Sequence, residues 1–333
     1  MQPLPTPLLV LVGPTAVGKS AVVAALAARR SLEVVVADSL QVYRGLDVGT
    51  AKPTPAERAR IAHHLVDLLD PTAPFTAAEF AALARHAVEG IAARGRLPVV
   101  AGGTGLYVRA FLRGPLAGPG GDPALRTRLR AEADRLGARG LHARLATVDP
   151  ATAAGIHPHN VVRVLRALEL YHLAGRPPSA LRRWPAGPPP PGVLLVGLRR
   201  GRDDLAARIE ARTRAMLEAG LLGEVRGLLA RGTPRDAKPL GAIGYREMVE
   251  HLEGRITLGE AARRMARDTR RYAKRQMTWF RREPGLWWIE LGPETQAGEV
   301  AEKILSRLEP LEARGAAGPG RGDAVRACAG GVR

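Results

Sequence analysis

Short, largely apolar runs alternate with helical patterns over the first third of the chain. LLVLV (8–12), EVVVADS (33–39) and LPVVAGGTG (97–105) are too short for ordinary helices and show no polar alternation. Such runs mark strands buried on both faces, as in a parallel sheet covered by helices. Between them, KSAVVAALAARR (19–30) and AAEFAALARHAVEGIAARG (77–95) carry helical spacing, and Gly95 ends the second. LVDLLD (65–70) reads as a further strand.

The pattern changes at about residue 122. DPALRTRLRAEADRLGARGLHARLATVD (122–149) and HNVVRVLRALELYHLAG (159–175) are helical, with no strand between them. WPAGPPPPG (184–192) reads as a stiff linker. VLLVGLR (193–199) returns to the sheet, further helices run to about 283, and LWWIEL (286–291) is a last strand. The expected organisation is a first core segment (1–121), a helical insertion (122–190), a second core segment with basic helices (191–311) and a Gly-rich disordered tail (312–333).

Composition adds charge. The chain has 333 residues and a net charge of +18. Residues 1–122 hold 12 basic and 9 acidic residues, a net of +3, which leaves +15 for the rest. That asymmetry suits a polyanionic partner, nucleic acid first, although an Arg-, Ala- and Gly-rich composition alone produces some of it. No apolar run reaches the ~18 residues of a membrane span, and Cys328 is the sole cysteine, so disulfides within the chain are excluded. A cytoplasmic monomer is the default expectation.

The first strand runs into GPTAVGKS, which fits the phosphate-loop pattern G-x-x-x-x-G-K-[ST]. A loop opened by Gly13 and Gly18 can wrap backbone N–H groups around phosphate oxygens, and the following helix aims its positive end at the same anion. Lys19 adds a cation, and the Ser20 hydroxyl suits a magnesium ion, Mg2+. None of these groups reads a base, so the loop specifies polyphosphate rather than ATP. The fold class that follows is α/β: a P-loop-type parallel sheet flanked by helices, with an all-helical insertion domain.

Ligands of such sheets sit at the carboxyl ends of the strands. The second strand places Asp38 there and the fourth places Thr104. Asp38 suits a metal ligand or a general base, or else a local Asx turn. His63 and His64 are adjacent and so point to opposite faces, a poor metal pair. RRMARDTRRYAKRQMTWFRRE (263–283) carries nine basic and two acidic residues. On a helix, Arg267, Arg271, Lys274 and Arg275 cluster as candidates for phosphate contacts. Met265, Thr269, Tyr272, Gln276 and Trp279 form a second stripe, expected to pack in the core, with base stacking as the alternative.

GPTAVGKS, DSLQVYRGLDVGTAKP, HHLVDLLDP, AGGTGLY, IHPHNVVRVLRALE, GAIGYRE and TRRYAKRQMTWFRR occur in that order. Together they resemble the bacterial tRNA dimethylallyltransferase (tRNA isopentenyltransferase) family over about residues 8–282. The resemblance implies transfer of a dimethylallyl group from its diphosphate to N6 of the adenosine 3′-adjacent to the anticodon, with Mg2+ assisting. Gly13, Pro14, Thr15, Ala16, Val17, Gly18, Lys19 and Ser20 would hold the diphosphate. Asp38 would accept the amine proton and Thr104 would orient the amine.

The family's tRNA contacts map onto Asp38, Ser39, Leu40 and Gln41, onto Thr104 and Arg126, onto Val162, Arg163, Val164, Leu165 and Arg166, and onto Gly241, Ala242, Ile243, Gly244, Tyr245 and Arg246. The partner would be the anticodon stem-loop. HPHN replaces the commoner HPND, a change at a helix cap, and the eukaryotic zinc finger has no counterpart. Competing readings are a phosphate-loop kinase of a small metabolite, an adenylate isopentenyltransferase, and a non-catalytic RNA-binding protein. Only the first two account for the loop, and neither accounts for the basic second half.

Overall fold

The structure, a computed structural model, describes residues 4–114, 120–181, 184–185 and 187–316. Its strands are β1 (Leu8–Val12), β2 (Leu32–Ala37), β3 (His63–His64), β4 (Leu97–Gly102), β5 (Val193–Arg200) and β6 (Trp287–Leu291). They form a six-stranded sheet of order β3-β2-β4-β1-β5-β6, parallel at every pairing. β1 alternates between two apolar layers. Leu8, Val10 and Val12 pack with Phe80, Val88 and Tyr245. Leu9 and Leu11 pack with Val22, Leu26 and Ile304. Burial on both faces explains why β1 is apolar throughout.

The helices are α1 (Lys19–Ala27), α2 (Pro55–Arg60), α3 (Ala77–Ala93), α4 (Gly105–Arg113), α5 (Pro123–Val148), α6 (Pro150–Ala154), α7 (Val161–Ala174), α8 (Arg202–Glu218), α9 (Leu221–Ala230), α10 (Tyr245–Leu252), α11 (Leu258–Phe280) and α12 (Ala297–Ala316). Capping boxes at Thr54 with Glu57 and Thr76 with Glu79 start α2 and α3. Each satisfies orphan N–H groups of a first turn.

The chain divides into two compact units, Pro115–Pro185 and Met1–Gly114 with Ala186–Arg333. The smaller holds α5, α6 and α7 around Leu125, Leu129, Leu141, Leu145, Val164 and Leu168, and α5 kinks at Gly137.

Two readings of the sequence change. LVDLLD is not a strand: the pairing falls on His63–His64, and Leu69 makes an isolated bridge to Tyr43. Leu65 and Asp67 take positive φ values of 64° and 55°. Asp67 is drawn aside by Lys52 and Arg58, each 2.6 Å away. At the other end, α12 continues through Ala316, past residue 312, where the tail was expected to begin. The rest of that tail, including Cys328, lies outside the described residues.

The two histidines are used locally. His63 Nδ1 is 2.7 Å from the Ile61 carbonyl, and His64 Nε2 is 2.6 Å from Glu33. Glu33, 3% exposed, also accepts from Arg94 at 2.7 Å and Arg96 at 3.1 Å. The Arg94 hydrogen bond, with help from His64 and against burial, holds its carboxyl at about 2, below the ordinary 4.5. A depressed value stabilises the fold above about 4.5 and loses that contribution as pH falls through about 2. Glu33→Gln should therefore melt below the wild type at neutral pH, and the gap should close on acidification. A gap that does not move with pH would remove the carboxylate charge from the account.

Candidate active site

β4 lies between β1 and β2, with Val12 in register with Gly102 and Gly102 with Ala37. The residues that follow these strand ends, Gly13, Gly103 and Asp38, therefore border one crevice at the carboxyl edge of the sheet. Gly13, at φ +155°, passes so close to β5 that a Cβ would stand 2.7 Å from the Leu198 carbonyl oxygen. Gly18, at φ +111°, turns the chain into α1, and no side chain caps that helix. Its N-terminal dipole is left for an anion.

Lys19 folds back on its own loop and donates to the carbonyls of Gly13 and Pro14, both at 2.9 Å. Burial, then the charge of Arg212, pushes its ammonium down to about 7, with Asp38 opposing. The loop is also gripped from outside. Arg200 Nε donates to the Val17 carbonyl at 2.9 Å, and Arg208 Nε to the Ala16 carbonyl at 3.0 Å. Arg208 and Arg212 stand one turn apart on α8 and share a face. Arg212 is desolvated, which lowers its pKa, while Asp38 acts to raise it. These two arginines were not singled out in the sequence. The available signal was an i, i+4 arginine pair directly after a strand that returns to the sheet.

Gln276 was assigned to packing, but it is a bridge. Its Oε1 accepts from Thr15 N at 2.9 Å and its Nε2 donates to the Gly103 carbonyl at 2.9 Å. One amide thus ties the phosphate loop to the GGTG turn, and the Thr15 N–H is already engaged. Tyr272, one turn earlier, lies close to Asp38, Thr104 and Gln276. Burial, then the Asp38 charge, raises its phenol to about 12. Thr104 occupies the N-cap position of α4 without capping it.

Asp38 Oδ1 accepts from Leu40 N at 2.8 Å and Gln41 N at 3.3 Å. The local Asx turn is present, and it holds the carboxylate near Lys19 and Arg212. Ser39, Leu40 and Gln41 are partly exposed. Ser20 is exposed at the first turn of α1. Among the described residues, no cluster of three or more His, Cys, Asp or Glu could hold a metal.

The other candidate positions divide by exposure. In GAIGYR, Gly241 and Arg246 are exposed while Tyr245 is 0% exposed, so the tyrosine faces inward. In the smaller unit, Val162 is 78% exposed, Val164 is fully buried and Arg163 is exposed. Arg126 and Arg166 both pair with buried Glu169, at 2.9 and 2.7 Å. On α11, Arg267 and Arg271 pair with Asp268 at 3.0 and 3.3 Å. Lys274 and Arg275 are exposed.

An IPP transferase family model matches residues 41–283. The chain belongs to the IPP transferase family. An isopentenyl transferase model also matches residues 6–67, which include the phosphate loop and Asp38. A tRNA dimethylallyltransferase of Anaeromyxobacter sp. (strain K) is 52% identical over 91% of this chain and 98% of its own length. One from Symbiobacterium thermophilum is 49% identical over 92% of this chain and 98% of its own. The solved tRNA isopentenylpyrophosphate transferase of Bacillus halodurans aligns with a TM-score of 0.68 and 40% identity, over 93% of this chain and 99% of that one. A eukaryotic dimethylallyltransferase caught acting on tRNA aligns at 0.71 with 26% identity, over 90% and 79%. Members of the family thus share the α/β sheet and its flanking helices. No helix among the described residues is long and apolar enough to cross a membrane.

Proposed function

We propose that this enzyme transfers the dimethylallyl group of dimethylallyl diphosphate to N6 of the adenosine 3′-adjacent to the anticodon in tRNA. One observation carries the reading: a phosphate cradle, Asp38 and Thr104 stand at the ends of three adjacent strands in a chain of this family. Relatives named for the same transfer, and a eukaryotic one seen acting on tRNA, support it.

In this reading the bond between the allylic carbon and the diphosphate oxygen breaks, and its electron pair leaves with diphosphate. The α1 terminus, Lys19 and Arg212 stabilise the charge that builds there. The amine nitrogen bonds to the allylic carbon and its proton passes to Asp38. Thr104 orients the amine. A stacked adenine cannot reach this crevice, so the base is flipped into it. Exposed Lys274, Arg275 and Arg163 supply phosphate contacts to the stem-loop.

The donor chemistry suits Mg2+. Ser20 offers a hard oxygen, and Mg2+ takes most of its ligands from substrate phosphates and water rather than from a protein cage. Ser20 and the diphosphate would hold the ion, which supplies further charge neutralisation of the leaving group. The test is incubation with unmodified tRNA, dimethylallyl diphosphate and Mg2+, followed by nucleoside analysis. Isopentenyl adenosine in the tRNA is expected. Its absence, or equal transfer to free adenylate, would overturn the assignment.

A further inference from the structure

Glu224, on α9, gathers the backbone of a loop far from it in sequence. Its carboxylate accepts from the N–H groups of Asp47 at 2.9 Å, Val48 at 2.7 Å and Gly49 at 3.1 Å. Consecutive N–H groups turned toward one point form an anion nest, here filled by a side chain. The Tyr245 hydroxyl donates to the same carboxylate at 2.6 Å. Burial, then the Glu224 charge, holds that phenol well above its ordinary range, so it stays a donor. A Cβ on Gly49 would stand 2.5 Å from Tyr245 Cζ, so the loop backbone rests on the tyrosine ring.

The next residue is where this loop meets the site. The Thr50 carbonyl accepts from Gln41 Nε2 at 3.1 Å and Arg212 Nη2 at 3.4 Å. Gln41 belongs to the stretch that begins at Asp38. Arg212 is the arginine whose charge acts on both Lys19 and Asp38. Thr50 itself is buried, and its hydroxyl donates to the Leu46 carbonyl at 2.7 Å, so the carbonyl has little freedom to wander.

We infer that Glu224 and Tyr245 are positioning residues, a clamp on Asp47–Gly49 that fixes the Thr50 carbonyl and, through it, Arg212 beside the phosphate cradle. The inference rests on the prenyl-transfer reading for the identity of the anion. It moves Tyr245 from an expected tRNA contact to an internal strut. The charge on Glu224 is required. A glutamine has one acceptor oxygen, and in either orientation its amide nitrogen would face at least one backbone N–H, donor against donor.

The experiment compares Glu224→Gln and Tyr245→Phe with the wild type. Binding of inorganic diphosphate and of unmodified tRNA is measured separately, together with hydrogen exchange at the 47–50 amides and the KM for each substrate. Glu224→Gln, which disturbs several charge-assisted hydrogen bonds, should weaken diphosphate binding about tenfold, and Tyr245→Phe, which removes one, about threefold. Both should speed exchange at those amides and raise the KM for dimethylallyl diphosphate, while tRNA affinity stays within about twofold of the wild type. Unchanged diphosphate binding in folded Glu224→Gln would overturn the clamp. So would Tyr245→Phe losing tRNA affinity with diphosphate binding intact, the mark of a direct tRNA contact. If Glu224→Gln does not fold, Tyr245→Phe decides by the same criteria. The binding measurements need no turnover, so a wild type that makes no isopentenyl adenosine strikes the proposed reaction and leaves the clamp separately tested.

Discussion

Asp38→Asn should lower the rate of prenyl transfer about 10²- to 10⁴-fold, the usual worth of a positioned general base. Asparagine is the informative substitution because it keeps an oxygen for Leu40 N and Gln41 N, the two bonds that Oδ1 makes. The turn survives and only the proton acceptor is lost. Asp38→Ala removes both and should be at least as inactive. Affinity for tRNA should change little in the asparagine variant, since the backbone of Ser39 to Gln41 stays in place. Turnover of Asp38→Asn at more than about a tenth of the wild-type rate would remove Asp38 as the base.

Lys19→Ala should reduce kcat/KM for dimethylallyl diphosphate about 10²- to 10³-fold, the scale seen when one donor to a developing anion is removed. The pH dependence gives this a sharper form. Burial places the Lys19 ammonium near 7 in the free protein. Diphosphate favours the charged amine, so binding takes up a proton wherever the lysine is neutral. Affinity therefore weakens as pH rises above about 7, by up to about tenfold per unit. Inorganic diphosphate titrates too, so the comparison is between wild type and Lys19→Ala over the same range. The ratio of their affinities should shrink with rising pH. A constant ratio would mean that the lysine carries full charge throughout.

Local features of the chain were readable in advance. LLVLV, EVVVADS and LPVVAGGTG became β1, β2 and β4 because burial on both faces selects apolar residues, with the ion-paired Glu33 the exception. GPTAVGKS showed its geometry because Gly13 and Gly18 occupy positions other residues rarely adopt. What stayed hidden was chosen by partners distant in sequence. Arg208 and Arg212 look like any solvated arginines until α8 lies against the loop. Gln276 is separated from Thr15 by 261 residues, and Glu224 from Gly49 by 175. No periodicity announces such bonds. The strand wrongly expected at 65–70 had a similar cause. The segment has strand composition, but Leu65 and Asp67 take positive φ values and Asp67 pairs with Lys52 and Arg58.

Lys19 also sets a condition on what the loop accepts. Its ammonium already has two oxygen partners, the carbonyls of Gly13 and Pro14. An ammonium has three donors, so one remains for an incoming anion while the two internal bonds hold the lysine in place. A singly charged ion would meet that one donor. A diphosphate would span the helix end, the lysine and the neighbouring arginine at once. The geometry thereby favours anions of higher valence over chloride or a lone carboxylate.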